Sequence, residues 1–203
     1  MRPSPPFLLA SASPRRAELL TQLGLRFRVE PSHIPEDILS GETPRGHAER
    51  LSRAKALEIW GENPDALVVA GDTVVVLGGD ILGKPSDAED ALRMLRALSG
   101  RTHTVVSGLA LAFPGGALRS GTTSTEVTFR PFDEEFARAY VATGEPMDKA
   151  GAYGIQGFGS ALVREIRGDY HTVVGLPIPL LLELLLEGGL RYEFGSLVPL
   201  SQE

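Results

Sequence analysis

The sequence contains no cysteine among its 203 residues. A disulfide framework, a thiolate metal site and a cysteine nucleophile are therefore excluded, and the absence fits a reducing compartment. The leucine-rich run at residues 180–186 is interrupted by Glu183 and falls short of the roughly 20 apolar residues that a membrane span needs. We therefore expect a cytoplasmic protein that does not insert into a membrane.

Lysine is also scarce, because the 20 basic residues include only three lysines, Lys55, Lys84 and Lys149. An ammonium group is a compact charge that fits a phosphate oxygen in a tight pocket, whereas a guanidinium needs room for two parallel hydrogen bonds. The three lysines therefore indicate an anion site, with chance placement as the alternative. The net charge of -6 and the lack of a basic run argue against a nucleic-acid surface but allow a small anionic ligand.

Strand and helix signals alternate along the chain. Apolar runs indicate strands at residues 7–10, 67–77 with a break at 71–73, 104–113, 122–130, 161–166 and 170–174. Caps and apolar periodicity indicate helices at residues 13–23, from 43 onward, from a capping box at Ser86 and Glu89 to Gly100, at 133–143, and in the final leucine-rich run. This order predicts an α/β fold, with α+β as the alternative, in which helices pack on a mixed, twisted sheet. We expect a single domain with two lobes around a central cleft.

The first predicted helix begins in a way that suits phosphate binding. Ser13 is its predicted N-cap, and Arg15 and Arg16 lie in its first turn, where free backbone N–H groups and the helix dipole favour an anion. Ser11 and Ser13 could add hydroxyl donors. The alternative is an ordinary solvated helix face with a serine cap.

Asp72 lies in the middle of the apolar run at residues 68–76, where an acid is costly to bury without a partner. We interpret it as a proton-accepting or metal-binding carboxylate, with a cap at a strand bulge as the alternative. Glu36, in the loop before the second helix, is the candidate partner carboxylate, although a loop acid needs no special role. If a metal binds, carboxylate and phosphate oxygens favour magnesium or manganese.

Two glycine-rich segments complete the candidates. Residues 78–85 resemble a Walker A loop, but Pro85 offers neither a hydroxyl nor an N–H group, so Lys84 remains a phosphate candidate without a P-loop. Residues 151–157 form a glycine-framed loop in which the amide of Gln156 could bind the edge of a base. The four histidines show no zinc-site spacing.

Six short motifs, in this order, resemble the Maf family of nucleoside triphosphate pyrophosphatases. They are LASASPRR at 9–16, GDTVV at 71–75, GKP at 83–85, LSG at 98–100, DKAGAYGIQG at 148–157 and VGLP at 174–177. The resemblance runs from about residue 7 to the final helix. The GAYGIQG form of the late loop resembles the branch that acts on dTTP and UTP rather than the one that acts on 7-methyl-GTP.

The resemblance implies a metal-dependent attack of water on the α-phosphate, which releases nucleoside monophosphate and pyrophosphate. Asp72 matches the family's proton acceptor and Glu36 its companion acid, and both would bind the metal. The same resemblance implies one domain over residues 1–203 and a homodimer. Lys55 and Lys84 match the family's site lysines and would act in catalysis, Arg16 belongs to its phosphate-binding turn, and Arg15, Thr73 and Gln156 match positions tied to substrate choice. Ser11, Ser13 and Lys149 are further substrate-binding candidates from the helix-start and lysine arguments above.

A second hypothesis is a nucleotide-binding regulator without catalysis, which the family's association with arrest of cell division suggests. Bound UTP would then remain intact. The presence of both acids and all the site cations favours the enzyme, because a pure binder needs no general base.

Overall fold

The computed structural model describes residues 5–200, which divide into two compact units. The first unit comprises the described residues up to Asp72, Ser107–Thr123 and the described residues from Gly175 onward. The second comprises Thr73–Val106 and Ser124–Val174. No helix within the described residues is long and apolar enough to cross a membrane.

A mixed sheet forms the centre of the fold. Its seven strands within the described residues are β1 (Phe7–Leu9), β2 (Arg28–Val29), β3 (Leu67–Leu77), β4 (Asp80–Leu82), β5 (Thr102–Ala112), β6 (Leu118–Phe129) and β7 (Val163–Arg167). The order is β2-β1-β3-β5-β6-β7, and β4 pairs with β3. Because β1 pairs in parallel with β2 and β3 whereas β3–β4 and β6–β7 are antiparallel, the predicted mixed α/β sheet is confirmed.

Between residues 5 and 200, six α-helices accompany the strands: α1 (Pro14–Gln22), α2 (Pro44–Glu62), α3 (Ala88–Leu98), α4 (Glu134–Ala142), α5 (Tyr170–Val174) and α6 (Ile178–Glu187). Short 3-10 helices span Glu145–Asp148, Ala150–Ala152 and Gly157–Leu162. A separate hairpin of β8 (Leu190–Tyr192) and β9 (Leu197–Pro199), like β2, was not predicted from the sequence.

Three local predictions were wrong. Strand β3 runs through Asp72 without a break, because Lys55 supplies the partner that a charge in a strand requires. Residues 170–174 form α5 rather than a strand, because the Asp169 carboxylate accepts hydrogen bonds from the N–H groups of His171 and Thr172 and so starts a helical turn. The N-cap of α3 is Asp87 rather than Ser86, since the Asp87 carboxylate accepts from the Asp90 N–H.

Helix α2 and strand β5 approach each other through their backbones within the first unit. A Cβ atom at Gly108 would lie 2.2 Å from the carbonyl oxygen of Ala48. Ala48 and Leu51 are buried, and Lys55 is buried one turn further along the same face of α2. The absence of a side chain at Gly108 therefore allows α2 to bring Lys55 to the sheet.

The loop that carries Glu36 has no helix or strand between residues 30 and 43 and is attached to α2 by side chains. Glu42 accepts two hydrogen bonds from Arg50, at 2.6 and 2.8 Å, and Arg50 also donates to the carbonyl oxygen of Asp37 at 2.9 Å. Glu58 accepts hydrogen bonds from the Ser32 hydroxyl and the His33 N–H. The conformation of the loop around Glu36 therefore depends on charged residues of α2.

We expect Gly108→Ala to destabilise the protein by about 1–3 kcal/mol or more, because its methyl group would overlap the backbone of α2. Thermal and urea unfolding would measure the loss. Gly61→Ala is the matched control, since a Cβ there meets nothing within 4 Å and alanine favours a helix. Equal stability of the two variants would contradict the close approach.

Glu42→Gln should destabilise the protein more at pH 5 than at pH 3. The hydrogen bond from Arg50, followed by the contact with His47, lowers the pKa of Glu42 from 4.5 to about 2. A carboxyl group with a lowered pKa contributes stability above its ordinary value, and that contribution is lost as the pH falls towards 2. Urea unfolding of wild type and variant at both pH values checks this, with the exposed Glu62→Gln as the control. A loss of stability in Glu42→Gln that is the same at both pH values would contradict the lowered pKa of Glu42.

Candidate active site

Asp72 lies in β3 of the first unit with its side chain 9% exposed. The Nζ atom of Lys55, on α2, donates to its Oδ1 at 2.8 Å. Burial of a carboxylate is costly, and a hydrogen-bonded ammonium offsets that cost. The sequence prediction that Asp72 has a compensating partner is therefore confirmed, and the partner is one of the three lysines.

The same ammonium group brings Glu36 to the site. The distance from Lys55 Nζ to Glu36 Oε1 is 2.6 Å. The Lys55 side chain is 8% exposed, whereas that of Glu36 is 47% exposed. Two carboxylates thus converge on one buried cation, and the Glu36 side of the cluster is accessible to solvent.

A histidine lies on the other side of Asp72 and was not predicted from the sequence. His47 Nε2 is 4.0 Å from Asp72 Oδ2, and His47 Nδ1 is 3.0 Å from Glu42 Oε2. His47 was not chosen as a site residue because the histidines lack zinc-site spacing. Its position two turns before Lys55, on the same buried face of α2, is the sequence signal that places it near Asp72. Asp72 therefore has a basic side chain near each of its two oxygens.

Arg16, predicted to bind phosphate, is buried beside the same segment of β3. Its Nε donates to the carbonyl oxygen of Gly175 at 2.7 Å, and its Nη1 donates to the Ser11 hydroxyl at 2.9 Å. Burial lowers the pKa of Arg16, and Asp72 acts against that shift. A Cβ at Gly71 would lie 3.2 Å from Arg16 Nε, so glycine next to Asp72 leaves space for the guanidinium.

The N-terminal turn of α1 begins where the sequence predicted, but its serine side chains make different hydrogen bonds from the predicted ones. Ser13 is the N-cap residue, and Pro14 follows it, yet the Ser13 side chain makes no cap hydrogen bond. Instead, the Ser11 hydroxyl accepts from the Ser13 N–H at 3.2 Å as well as from Arg16. Ser11 therefore joins the turn to Arg16, and Arg15 is only partly buried.

The other predicted site residues belong to the second unit. Thr73 and Gln156 are partly buried, Lys84 is exposed, and Lys149 Nζ donates to the Glu145 carbonyl oxygen at 2.5 Å and to Asp148 Oδ1 at 2.6 Å. The Gly151 N–H donates to the carbonyl oxygen of Gly83 at 3.0 Å. The segment of Lys84 and the glycine loop of Gln156 therefore lie together, although they are far apart in the sequence.

The residues around Lys55 fit a hard divalent cation. Asp72 and Glu36 supply carboxylate oxygens, the donors that magnesium and manganese prefer. Within residues 5–200, no group of three or more histidine, aspartate or glutamate side chains is arranged to hold a metal by itself. A magnesium ion is commonly bound by one or two carboxylates together with substrate phosphates, and the pair matches that mode.

The sequence is similar to known proteins over most of its length. The profile of a family described as Maf-like protein matches residues 6–188. A protein of Aquifex aeolicus (strain VF5) named dTTP/UTP pyrophosphatase is 45% identical over 180 residues, which cover 89% of this chain and 94% of that protein. A protein of the same name from Moorella thermoacetica is 51% identical over 179 residues, covering 88% of this chain and 92% of the relative.

Among solved structures, the Ham1 protein of Staphylococcus aureus is similar with a TM-score of 0.50 and 16% identity, covering 90% of this chain and 98% of that one. At this identity the likeness concerns the fold alone. The family profile, by contrast, matches residues 6–188, a range that contains every motif on which the resemblance depends, and the two relatives are matched over 89% and 88% of this chain. The chain belongs to the Maf family.

Proposed function

We propose that this protein hydrolyses dTTP, UTP and related modified pyrimidine nucleotides at the α-phosphate and releases nucleoside monophosphate and pyrophosphate. The observation that carries the proposal is the buried Asp72 carboxylate, bonded to Lys55 and adjoining Glu36 and Arg16. Relatives named dTTP/UTP pyrophosphatase support the same reaction. Removal of unwanted nucleotides from the cellular pool is the role that fits this chemistry.

In this mechanism Asp72 accepts the proton of the attacking water. The new bond joins that water oxygen to the α-phosphorus, and the bond to the α–β bridging oxygen breaks, so pyrophosphate leaves with the bonding electrons. Lys55 holds Asp72 in place through a 2.8 Å hydrogen bond, and its charge offsets the negative charge that develops on the phosphoryl group. Glu36 lies on the exposed side, where the substrate would enter.

Asp72 and Glu36 would hold a magnesium or manganese ion. When bound, the ion would lower the pKa of its water and neutralise phosphate charge. Arg16 in the first unit and Lys84 and Lys149 in the second are the proposed phosphate-binding cations, as cations suited to oxyanions, and the turn of Ser11, Ser13 and Arg15 would support Arg16. Thr73 and Gln156, together with Arg15, would determine which nucleotide is accepted.

We further propose that residues 1–203 constitute one Maf-like domain that acts in the cytoplasm on free nucleotides, without nucleic acid or membrane partners, as a homodimer. The extent of the family match supports the single domain. Light scattering of the purified protein would test the dimer.

Asp72→Asn should reduce the turnover of UTP by roughly a hundredfold to ten-thousandfold, because an amide cannot accept the proton of water. The fold should survive, since an amide oxygen still accepts the hydrogen bond from Lys55. Asp80→Asn, at an exposed position of β4, is the matched control and should keep its activity. Full turnover by Asp72→Asn would remove Asp72 from the mechanism.

The bond that breaks can be tested with wild-type protein in water enriched in oxygen-18. Attack at the α-phosphorus places the label in UMP, whereas attack at the β-phosphorus places it in pyrophosphate. Products of UDP and phosphate would move the reaction to the γ-phosphate. Tight binding of UTP without any product would favour the regulator over the enzyme.

Gln156→Glu should lower the preference for UTP over CTP by roughly tenfold to a hundredfold, the range expected from one bidentate base contact. The glutamine amide can donate to O4 of uracil and accept from N3–H, whereas a carboxylate repels O4 but accepts from the amino group of cytosine. The ratio of kcat/KM for UTP to that for CTP measures the effect. The exposed Gln22→Glu on α1 is the control, and an unchanged ratio in Gln156→Glu would exclude base contact by Gln156.

A further inference from the structure

Glu145 occupies the centre of the loop that carries Gln156, although no motif pointed to it. Its Oε2 accepts from the N–H of Phe158 at 2.9 Å, and its Oε1 accepts from the N–H of Gly159 at 2.9 Å and from the Tyr140 hydroxyl at 2.9 Å. One carboxylate thus receives three hydrogen bonds. Two of them come from backbone N–H groups two and three residues after Gln156.

Tyr140 holds the other end of the same loop. Its hydroxyl oxygen accepts a hydrogen bond from the N–H of Gly154 at 3.1 Å, and the same hydroxyl group donates a hydrogen bond to Glu145. Residues 154–159 are therefore anchored before and after Gln156 by one connected pair of side chains. Gln156 itself lies between the anchors, partly exposed, and makes none of these bonds.

The glycines of the loop fit around this pair. A Cβ at Gly157 would lie 2.6 Å from Glu145 Oε2, and one at Gly159 would lie 2.6 Å from the Tyr140 hydroxyl and 2.1 Å from the Gly154 carbonyl oxygen. Gly157 also has a φ of +61°, which other residues rarely adopt. The backbone of residues 154–159 therefore packs closely around the Glu145 carboxylate and the Tyr140 hydroxyl.

The protonation states of Glu145 and Tyr140 agree with the hydrogen bonds that anchor residues 154–159. Burial by itself would raise the pKa of Glu145, but the N–H groups of Gly159 and Phe158 and the Tyr140 hydroxyl outweigh burial, so its pKa lies below the ordinary value. Burial raises the pKa of Tyr140, which therefore remains a hydrogen-bond donor at neutral pH. An ionised acceptor and a neutral donor are the states that the observed bonds require.

We propose that Tyr140 and Glu145 are positioning residues that set the nucleotide selectivity of the site by holding Gln156 in the orientation that binds the pyrimidine edge. This inference rests on the proposed function, since it assigns the selectivity of that reaction to a base contact by Gln156. A bidentate contact requires two aligned hydrogen bonds, so a small rotation of the loop backbone removes discrimination before it removes phosphate binding.

The test uses Glu145→Gln and Tyr140→Phe in the full chain. In Glu145→Gln one of the two backbone N–H groups faces an amide NH2, and in Tyr140→Phe both hydroxyl bonds are lost. We expect the ratio of kcat/KM for UTP to that for CTP to fall about tenfold in each, as the loss of roughly one oriented hydrogen bond implies. Glu135→Gln, an exposed acid of α4, and Tyr192→Phe, which loses a hydroxyl bond to the Leu23 carbonyl oxygen in the first unit, are the controls and should keep the ratio.

A double-mutant cycle separates positioning from general loosening. In a Gln156→Ala background, Glu145→Gln and Tyr140→Phe should change the ratio by less than about twofold, because the group that they position is absent. A full tenfold effect in that background, or an unchanged ratio in the single variants, would overturn the proposal. Destabilised variants that retain the wild-type ratio would do the same, since they would show a merely structural role.

Two further readouts keep this inference distinct from the proposed reaction. Hydrogen exchange of the Phe158 and Gly159 amides should accelerate at least about tenfold in Glu145→Gln, whatever the activity of the protein. If wild type binds nucleotides without hydrolysing them, the proposed function fails, and the ratio of Kd for CTP to that for UTP replaces the kinetic ratio in the same cycle. Equal exchange in wild type and variant would show that Glu145 does not hold the loop.

Discussion

The hydrogen bond between Lys55 and Asp72 is the interaction on which the candidate site depends. An aspartate inside a valine-rich strand would be too costly without a cation, and a lysine on the buried face of a helix would be equally costly without an anion. Each makes the other tolerable, and together they leave a carboxylate that is desolvated, oriented and close to Glu36. Helix α2 can reach this distance because Gly108 presents no side chain to its backbone.

Hydrogen bonds from charged and polar side chains also fix the segments that carry Glu36 and Gln156. Glu36 belongs to a loop without regular structure, yet Glu42 and Arg50 attach that loop to the helix that carries Lys55. In the second unit, Glu145 and Tyr140 hold the segment of Gln156 in a comparable way. In both places hydrogen bonds from charged or polar side chains fix a segment that carries a candidate site residue. The candidate site residues Glu36 and Gln156 therefore lie in segments that are held by several hydrogen bonds.

Local signals predicted the elements whose cause is local. Thr43 caps α2 with its own side chain, Asp133 caps α4, and Pro14 begins α1, as their residue types suggest. Predictions of secondary structure were wrong where a hydrogen-bond partner outside the hydrophobic pattern of the segment determines its conformation. Strand β3 continues through Asp72 because of a lysine 17 positions away, and Asp169 turns an apolar, strand-like segment into α5. Neither outcome is encoded in the hydrophobic period of the segment itself.

The sequence by itself determined the family, the chemical types of the candidate site residues and the expectation that Asp72 has a partner, because these depend on residue identity and order. Tertiary structure decided which partner that is, since Lys55, Glu36, Arg16 and Ser11 come from separate segments that meet only when α1 and α2 lie against the sheet. It also decided the roles of His47, Glu42, Tyr140 and Glu145, which carry no recognisable motif. Their significance lies in which backbone groups and charges they face, and those directions exist only in the folded chain.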